Sequence, residues 1–331
     1  MMKLSKPASA LCGALLAALL SACGSVAVRV PVLKPAEINM ASYQSVGIGG
    51  MTGNANTAVS DSLEEALVNS QRFTVVDRQH MSQIMKELQL SSTDLADSRA
   101  AAKLGKVVTA GALIFGDTTD TFRETPSETK YKDDKQVQHT INSLKGEVYV
   151  RATFKVVDVS TGRLIVAKTY EERRDDTNRA IDHRPDAVDR RALEQAARQA
   201  VVARFMKAIV PHQEYMEANF QKDSDIPQLE GGIGYAQRGD WKQAQQTFND
   251  AAQDAEKNVK LKAAQISKCY WNLGLSYEYA GQYDKANDMI NKAYKLSNDT
   301  NMLTELDNVK RLQADAKRLA DQVGGEAAGG K

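Results

Sequence analysis

The sequence predicts an α/β domain with a mixed sheet (an α/β or α+β fold), followed by an all-α domain of helical hairpins. Strand and helix patterns alternate over residues 43–211, a tight hairpin signal lies at 160–162, and apolar residues recur at helical spacing over 230–320. Strands interleaved with helices form layered domains, and stacked helical hairpins bury a shared core. A chain of 331 residues is long enough for both domains.

The first 22 residues have the features of a lipoprotein signal peptide. Lys3 and Lys6 precede an apolar stretch over residues 8–20, which is shorter than the roughly 20 residues that a membrane-spanning helix needs. The following Leu-Ser-Ala-Cys sequence resembles the lipobox of bacterial lipoproteins, which predicts cleavage before Cys23 and its acylation. An ordinary cleavage site beside a chance cysteine is the alternative. Gly24 follows instead of aspartate, which by analogy with enterobacterial sorting predicts outer-membrane delivery.

Charge and cysteine content narrow the range of partners and sites. Forty-three basic residues face 42 acidic ones, for a net charge of +1, so no global field points to nucleic acid. Cys12 leaves with the signal peptide and Cys23 is predicted to be acylated, which leaves Cys269 without a partner. The sequence therefore predicts no disulfide and no cysteine-based metal site, and a buried free thiol at Cys269.

Periodicity predicts the elements of the α/β domain, residues 43–211. Strands are expected at 45–49, 73–77, 110–116, 147–159 and 163–171. Helices are expected at 60–70, 81–88, from 93 or 94 to 105, and 186–210. Residues 23–42 are rich in valine and proline, which predicts an extended tether. Residues 212–229 are predicted to be a polar linker.

Three blocks of this domain carry a family resemblance. They are residues 63–78 (LEEALVNSQRFTVVDR), 112–117 (ALIFGD) and 156–165 (VVDVSTGRLI). In this order and behind a lipobox, they resemble the curli-secretion (CsgG/HfaB) family and the related TolB-amino-terminal-like fold, over roughly residues 40–210. The resemblance implies subunits that form rings and lend amphipathic hairpins to a secretion pore. In this chain those hairpins would come from residues 117–146 and 171–190.

The two candidate pore segments are highly charged. A bilayer-spanning strand alternates apolar and polar residues over roughly 9–11 positions. Residues 123–135 and 173–179 instead carry charges at both odd and even positions and hardly any apolar residue. The mixed-sign cluster at 171–176 is predicted to be a solvated loop. These charges disfavour a secretion pore of the curli or holdfast type, which is kept only as an alternative function.

The last third of the chain contains an internal repeat. One segment has Tyr235, Gly239, Trp241, Ala244, Phe248 and Ala251, and the other has Tyr270, Leu273, Gly274, Tyr277, Gly281, Tyr283, Ala286, Ile290 and Ala293. Both resemble the tetratricopeptide (TPR) pattern over residues 230–320. The glycines at 239 and 281 are predicted to form turns, and the alanines at 244 and 286 to let helices approach closely. A helix over 302–319 is expected to cap the array, and residues 321–331 to form a disordered tail.

No motif predicts catalysis, a metal site or a cofactor. The four histidines show no paired spacing, and the glycines at 47–53 fit neither nucleotide-binding pattern. We therefore predict a non-enzymatic scaffold or binding module for assembly or secretion of envelope components. It is expected to be lipid-anchored at the outer membrane and to face the periplasm.

The repeats are the predicted contact for a protein partner of unknown identity. The predicted groove is lined by Tyr235, Trp241, Tyr270, Tyr277 and Tyr283. Two repeats form a short groove, which suits a peptide or one face of a helix. The alternative is that these helices only pack on the α/β domain. The family resemblance also allows a homo-oligomer. Lipoprotein activators of peptidoglycan synthases use a small tethered α/β domain too, which gives a third candidate function by analogy of fold.

Overall fold

The computed structural model describes residues 24–76, 86 and 111–323. The chain divides into two compact units. One, here called the α/β unit, comprises Leu33–Glu214 with Ala314–Lys331. The other, here called the helical unit, comprises Met1–Val32 with Tyr215–Gln313. None of the helices in the described ranges is long and apolar enough to cross a membrane.

The α/β unit contains a five-stranded mixed sheet. Its strands lie in the order β3-β2-β4-β5-β6, with bounds β2 (Ser45–Thr52), β3 (Thr74–Val76), β4 (Ala112–Lys132), β5 (Gln138–Asp158) and β6 (Leu164–Ile181). β2 runs parallel to β3 and β4, and β4, β5 and β6 pair antiparallel. This arrangement confirms the predicted α/β fold class with a mixed sheet.

Two helices pack on this sheet, α1 (Asn56–Asn69) and α2 (Arg190–Ile209). α1 turns Val59, Leu63 and Leu67 toward the core at the four-residue spacing of a helix face, and each is fully buried. On the α2 side, Phe154 of β5 and Phe205 stack with ring centroids 4.3 Å apart. The helices predicted at 81–88 and 93–105 lie outside the described residues, apart from position 86.

Residues 117–146 and 171–181 lie largely in strands, which corrects the prediction of a solvated loop at 171–176. β4 and β5 stay paired as far as Lys132 and Gln138, and β5 pairs with β6 as far as Ile181. Far from β2 the residues of β4 are exposed on both faces, so no apolar alternation marks them as a strand. Cross-strand ion pairs hold the charges, including Lys145 with Asp175 at 3.2 Å.

The helical unit contains two helical hairpins. α3 (Gln228–Gln237) and α4 (Trp241–Lys257) form the first, and α5 (Ala263–Tyr279) and α6 (Tyr283–Ser297) the second. Gly239 and Gly281 both have φ +73° at the turns, the left-handed conformation for which glycine is best suited. At Gly274 a Cβ would lie 2.5 Å from Ile290 Cγ1, so glycine permits the close approach of α5 and α6.

The last helix, α7 (Asn301–Val323), is longer than predicted. Its residues up to 313 belong to the helical unit and the rest to the α/β unit. Residues 321–323, predicted to begin the disordered tail, are helical. Gln322 is buried, and its side chain exchanges two 2.8 Å hydrogen bonds with the backbone of Ala36 in the same unit. Residues 324–331 lie outside the described range.

A two-stranded sheet of β1 (Ser25–Lys34) and β7 (His212–Gln221) replaces much of the predicted tether and linker. In the helical unit, Val28, Val30, Ala218 and Phe220 are buried in the same core as the helices. The tether prediction for residues 23–42 is therefore wrong over β1, and the linker prediction for 212–229 is wrong over β7. The strand was not predicted because Pro31 and Pro35 disfavour a central strand. Proline is nevertheless tolerated in an edge strand such as β1, which pairs with β7 only.

Candidate partner-binding site

Helix α5 holds the chain's own strand β7 within the helical unit. The Asn272 side-chain nitrogen donates to the Gln221 carbonyl, and the Gln221 N–H donates to Asn272 Oδ1, both at 2.8 Å. Trp271 Nε1 donates to the Asn219 carbonyl, also at 2.8 Å. The Asn272 amide therefore satisfies both backbone groups of Gln221, as a neighbouring strand would. This face of α5 is already occupied by an extended segment.

Tyr270, one of the five predicted groove residues, lies in the interior, with 6% of its surface exposed. Its hydroxyl donates to Glu256 Oε1 of α4 at 2.7 Å and accepts from Lys292 Nζ of α6 at 2.7 Å. The hydrogen bonds from Lys292 and Tyr270 lower the pKa of the Glu256 carboxyl, and burial raises the pKa of Tyr270. The structure places Tyr270 as a link between three helices.

The other four predicted residues lie beside the two glycine turns. Tyr235 is in the last turn of α3, Trp241 begins α4, Tyr277 is in the last turn of α5 and Tyr283 begins α6. All four are partly exposed. The Trp241 ring stacks on that of Tyr279 with centroids 5.9 Å apart, which brings the two turns together. Sequence reasoning missed Tyr279, although its position directly before the predicted turn was a usable signal.

Two cations border these rings. The Arg238 guanidinium carbon lies 5.2 Å from the Tyr235 ring centroid, and Lys285 Nζ lies 5.3 Å from that of Tyr277. A cleft of about 310 Å³ lies at the second turn, lined by Tyr283, Asp284 and Lys285 among others. We call this surface the aromatic end; it comprises Tyr235, Arg238, Trp241, Tyr277, Tyr279, Tyr283 and Lys285. Aromatic residues and arginine are enriched in protein interfaces. Burial raises the pKa of Tyr279, so the surface carries no negative charge from this hydroxyl at neutral pH.

The structure describes one of the two cysteines of the predicted mature chain. Cys23, the predicted lipidation site, lies outside the described residues. Its neighbour Gly24 is described, and the Gly24 carbonyl accepts a 3.0 Å hydrogen bond from the Lys222 backbone N–H. Cys269 is a buried free thiol, as predicted. Burial raises the pKa of the Cys269 thiol to about 12, so it does not serve as a reactive group.

The α/β unit presents a second exposed feature at the outer half of its sheet. Among the described strands, β2 pairs with β4 only as far as Asp117, and β5 is the only strand paired with the rest of β4. The Asn54 side chain bonds the backbone N–H and carbonyl of Asp120, at 2.9 and 2.8 Å. Beyond that point, residues 121–132 form an exposed strand edge.

The family model for curli production assembly/transport component CsgG matches residues 18–231, which is more than half of the chain. The chain belongs to the CsgG family. A tetratricopeptide-repeat model matches residues 232–299, which run from the middle of α3 to just beyond the end of α6. Both matches confirm the predicted combination of a CsgG-family domain with C-terminal TPR-like repeats.

Several solved structures are similar to this CsgG-family chain. The LpoB C-terminal domain from Salmonella enterica is 17% identical over 39% of this chain and 83% of its own, with a TM-score of 0.25. The PelC dodecamer from Paraburkholderia phytofirmans is 13% identical over 56% and 100%, with a TM-score of 0.27. A minor lipoprotein from Acinetobacter baumannii is 9% identical over 52% and 99%, with a TM-score of 0.21. A comparison with curated protein sequences found no match.

Proposed function

We propose that this CsgG-family chain is a lipid-anchored, non-enzymatic scaffold of the bacterial envelope that binds a protein partner through its aromatic end. The family description, a component of curli assembly and transport, supports a role in assembly or secretion of envelope components. The tetratricopeptide match supports a protein partner, since stacked helical hairpins present extended binding surfaces. Acylation of Cys23 would place the chain at the outer membrane, facing the periplasm.

The cluster of partly exposed rings at the aromatic end is the observation that carries this proposal. Tyr270, one of the five residues predicted from the sequence, is enclosed by its neighbouring helices. Asn272, two residues further along α5, already holds β7. The rings at the glycine turns keep partial exposure and have cations at their rim. An aromatic surface bordered by Arg238 and Lys285 suits a partner segment that offers apolar side chains next to carboxylates.

Site-specific crosslinking in the native envelope tests this proposal. The photoreactive amino acid benzoylphenylalanine would replace Tyr283 or Tyr235, so an aromatic ring is kept at each position. Tyr215 is the matched control because it is 61% exposed in the same unit and also has a cation over its ring, Arg29 at 4.9 Å. We expect a discrete crosslinked protein from positions 235 and 283 and none from position 215.

A loss-of-contact variant completes the experiment. Replacing Arg238 with glutamate reverses a charge at the aromatic end and is expected to abolish the crosslink from position 283. Replacing Arg29 with glutamate, beside the control tyrosine, should leave that crosslink unchanged. A crosslink that forms equally from position 215, or that persists in the Arg238 variant, would rule out the aromatic end as the binding surface.

We also propose that copies of this chain associate through the outer halves of β4 and β6. The observation that favours this is the exposed edge at residues 121–132, with β6 as the last strand on the other side of the sheet. Mass photometry of the detergent-extracted protein would show defined oligomers. Glu128→Pro would reduce them, because the backbone groups of β4 face the open edge at every second residue from Asp120 onward. Release of dye from liposomes by these oligomers would favour the secretion pore over the scaffold.

A further inference from the structure

The helical unit fixes the residue that follows the proposed lipidation site. Lys222 N–H donates to the Gly24 carbonyl at 3.0 Å, and the next residue toward the N-terminus is Cys23, one Cα–Cα step of about 3.8 Å away. The Lys222 carbonyl accepts from Lys268 Nζ at 3.2 Å, near the start of α5. Gly24, the residue next to the proposed attachment point of the acyl chains, therefore lies at the end of the helical unit where α5 begins.

The loop between α4 and α5, residues 258–262, lies at this same end. Lys262 N–H donates to Gln265 Oε1 at 3.1 Å, and Gln265 Nε2 donates to Asp223 Oδ1, also at 3.1 Å. Asp223 directly follows the residue that binds the Gly24 carbonyl. A continuous set of hydrogen bonds thus connects the anchored end of β1 with the 258–262 loop.

The 258–262 loop combines an apolar tip with unpaired positive charge. Val259 is 97% exposed, the largest exposure among the exposed apolar side chains of the described chain. Lys260 and Lys262 follow it and are exposed, and neither forms an ion pair with any carboxylate in the described ranges. An exposed apolar side chain next to unpaired lysines has the chemistry that favours contact with anionic lipid headgroups.

Two carboxylates at this end of the helical unit are paired with lysines, and a third accepts from an amide. Asp223 pairs with Lys268 at 2.8 Å, and Glu256 pairs with Lys292 at 2.8 Å. Asp225 accepts from Gln265 Nε2 at 2.8 Å. Within residues 258–262 the charged side chains are Lys260 and Lys262, whose complement is an anionic surface.

We propose that the 258–262 loop docks on the anionic phospholipid surface that holds the acyl chains of Cys23. Val259 enters the headgroup region, while Lys260 and Lys262 contact lipid phosphates. The aromatic end lies at the other end of α5, about 25 Å away for 17 residues at about 1.5 Å each, and is directed away from the bilayer. This inference rests on the proposed lipidation of Cys23.

A fluorophore at position 259 tests the docking in the full lipidated protein. Val259→Cys would be labelled with an environment-sensitive dye, since buried Cys269 does not react, and the protein reconstituted into phosphatidylcholine vesicles with or without phosphatidylglycerol. Lys242→Cys, at the opposite end of α4, is the matched control. We expect a blue shift from position 259 only with phosphatidylglycerol and no shift from position 242. Adding Lys260→Gln should lower the docked-to-undocked ratio about fivefold.

Flotation of the vesicles separates the two proposals. Protein that floats with both kinds of vesicle is lipidated. If floating protein shows the same emission from positions 259 and 242 in both lipids, the docking inference is wrong while the lipid anchor stands. Protein that does not float with neutral vesicles, or a Cys23→Ser variant that floats as well as the parent, overturns lipidation and the docking inference together.

Discussion

The two units of the chain differ in where they bury polar side chains. In the described part of the α/β unit, the buried polar residues are spread over three elements: Ser60 on α1, Thr118 and Asp120 on β4, and Gln322 on α7. Among the described residues of the helical unit, four of the five lie on the single helix α5: Ser267, Asn272, Ser276 and Glu278, with Asp223 in an earlier loop. The helical unit thus concentrates its buried polar groups on the helix that holds β7.

This difference indicates how each unit obtains a unique structure. Apolar contacts such as the Phe154–Phe205 stack supply most of the interior of the α/β unit, where burial stabilises without selecting one partner group. A buried amide that bonds both backbone groups of one residue selects that residue, because any other register leaves polar groups unsatisfied. Asn272 therefore fixes the register of β7 on α5 in a way that apolar packing cannot.

The largest expected effect is that of Asn272→Ala. The change leaves the Gln221 N–H and carbonyl without their partner, which should cost about 3 kcal/mol in the stability of the helical unit. The two tryptophans of the chain, Trp241 and Trp271, both lie in this unit. Unfolding in urea followed by tryptophan fluorescence should therefore show the loss directly.

A second asparagine serves as the control for this variant. Asn249 is on α4, and its side chain makes no hydrogen bond within the described ranges. Asn249→Ala should therefore change the free energy of unfolding of the helical unit by less than about 0.5 kcal/mol. Equal shifts for the two variants would show that the Asn272 pairing does not stabilise the unit.

An intermediate effect is expected at Asp158 in the α/β unit. Burial opposes ionisation of this carboxyl, yet hydrogen bonds from Ser160, Thr161 and Tyr43 outweigh it and lower its pKa to about 2. Because the folded pKa lies below the usual 3.8, the stabilisation is complete above about pH 4 and is lost as the pH falls toward 2. Asp158→Asn should cost about 1.5 kcal/mol at neutral pH.

Far-UV circular dichroism would follow this variant, because the α/β unit contains no tryptophan among its residues. We expect a lower midpoint for the loss of sheet signal, with the tryptophan-detected midpoint unchanged. The variant should also lose less stability than the parent between pH 4 and pH 2. An identical acid profile in both proteins would mean that Asp158 does not carry this pH dependence.

The sequence was sufficient wherever one face of an element is buried. Leu63 and Leu67 of α1, and the glycine turns at 239 and 281, follow patterns that burial and backbone geometry impose. The outer halves of β4, β5 and β6 escaped prediction because water covers much of both faces, which removes the alternation. In β1, valines at every second position from 26 to 32 were a strand signal that Pro31 obscured.

The candidate site was only partly predictable for a different reason. Tyr270 and Tyr277 lie seven residues apart on one face of α5, yet only Tyr270 is buried, between Glu256 and Lys292. Nor does a polar residue such as Asn272 signal burial in a sequence, since asparagine is usually exposed. Its role depends on β7, a strand that the sequence presented as a linker.

The smallest expected effects come from two glycines of α3, which separate packing from helix propensity within the helical unit. At Gly232 a Cβ would lie 2.3 Å from Phe248 Cε1, and the Phe248 ring is stacked on Phe220 of β7. At Gly234 a Cβ would meet no atom within 4 Å. Alanine gains about 1 kcal/mol over glycine in a helix interior, whereas overpacking costs about 1–3 kcal/mol.

Gly232→Ala is therefore expected to destabilise the helical unit by about 1 kcal/mol, and Gly234→Ala to stabilise it by up to about 1 kcal/mol. Tryptophan-detected urea unfolding would measure both, because α3 packs in the same core as Trp271. Opposite signs would show that close packing of α3 against Phe248 limits this hairpin. If both variants gained stability, the Phe248 ring would have room to move, and close packing of α3 would not limit the hairpin.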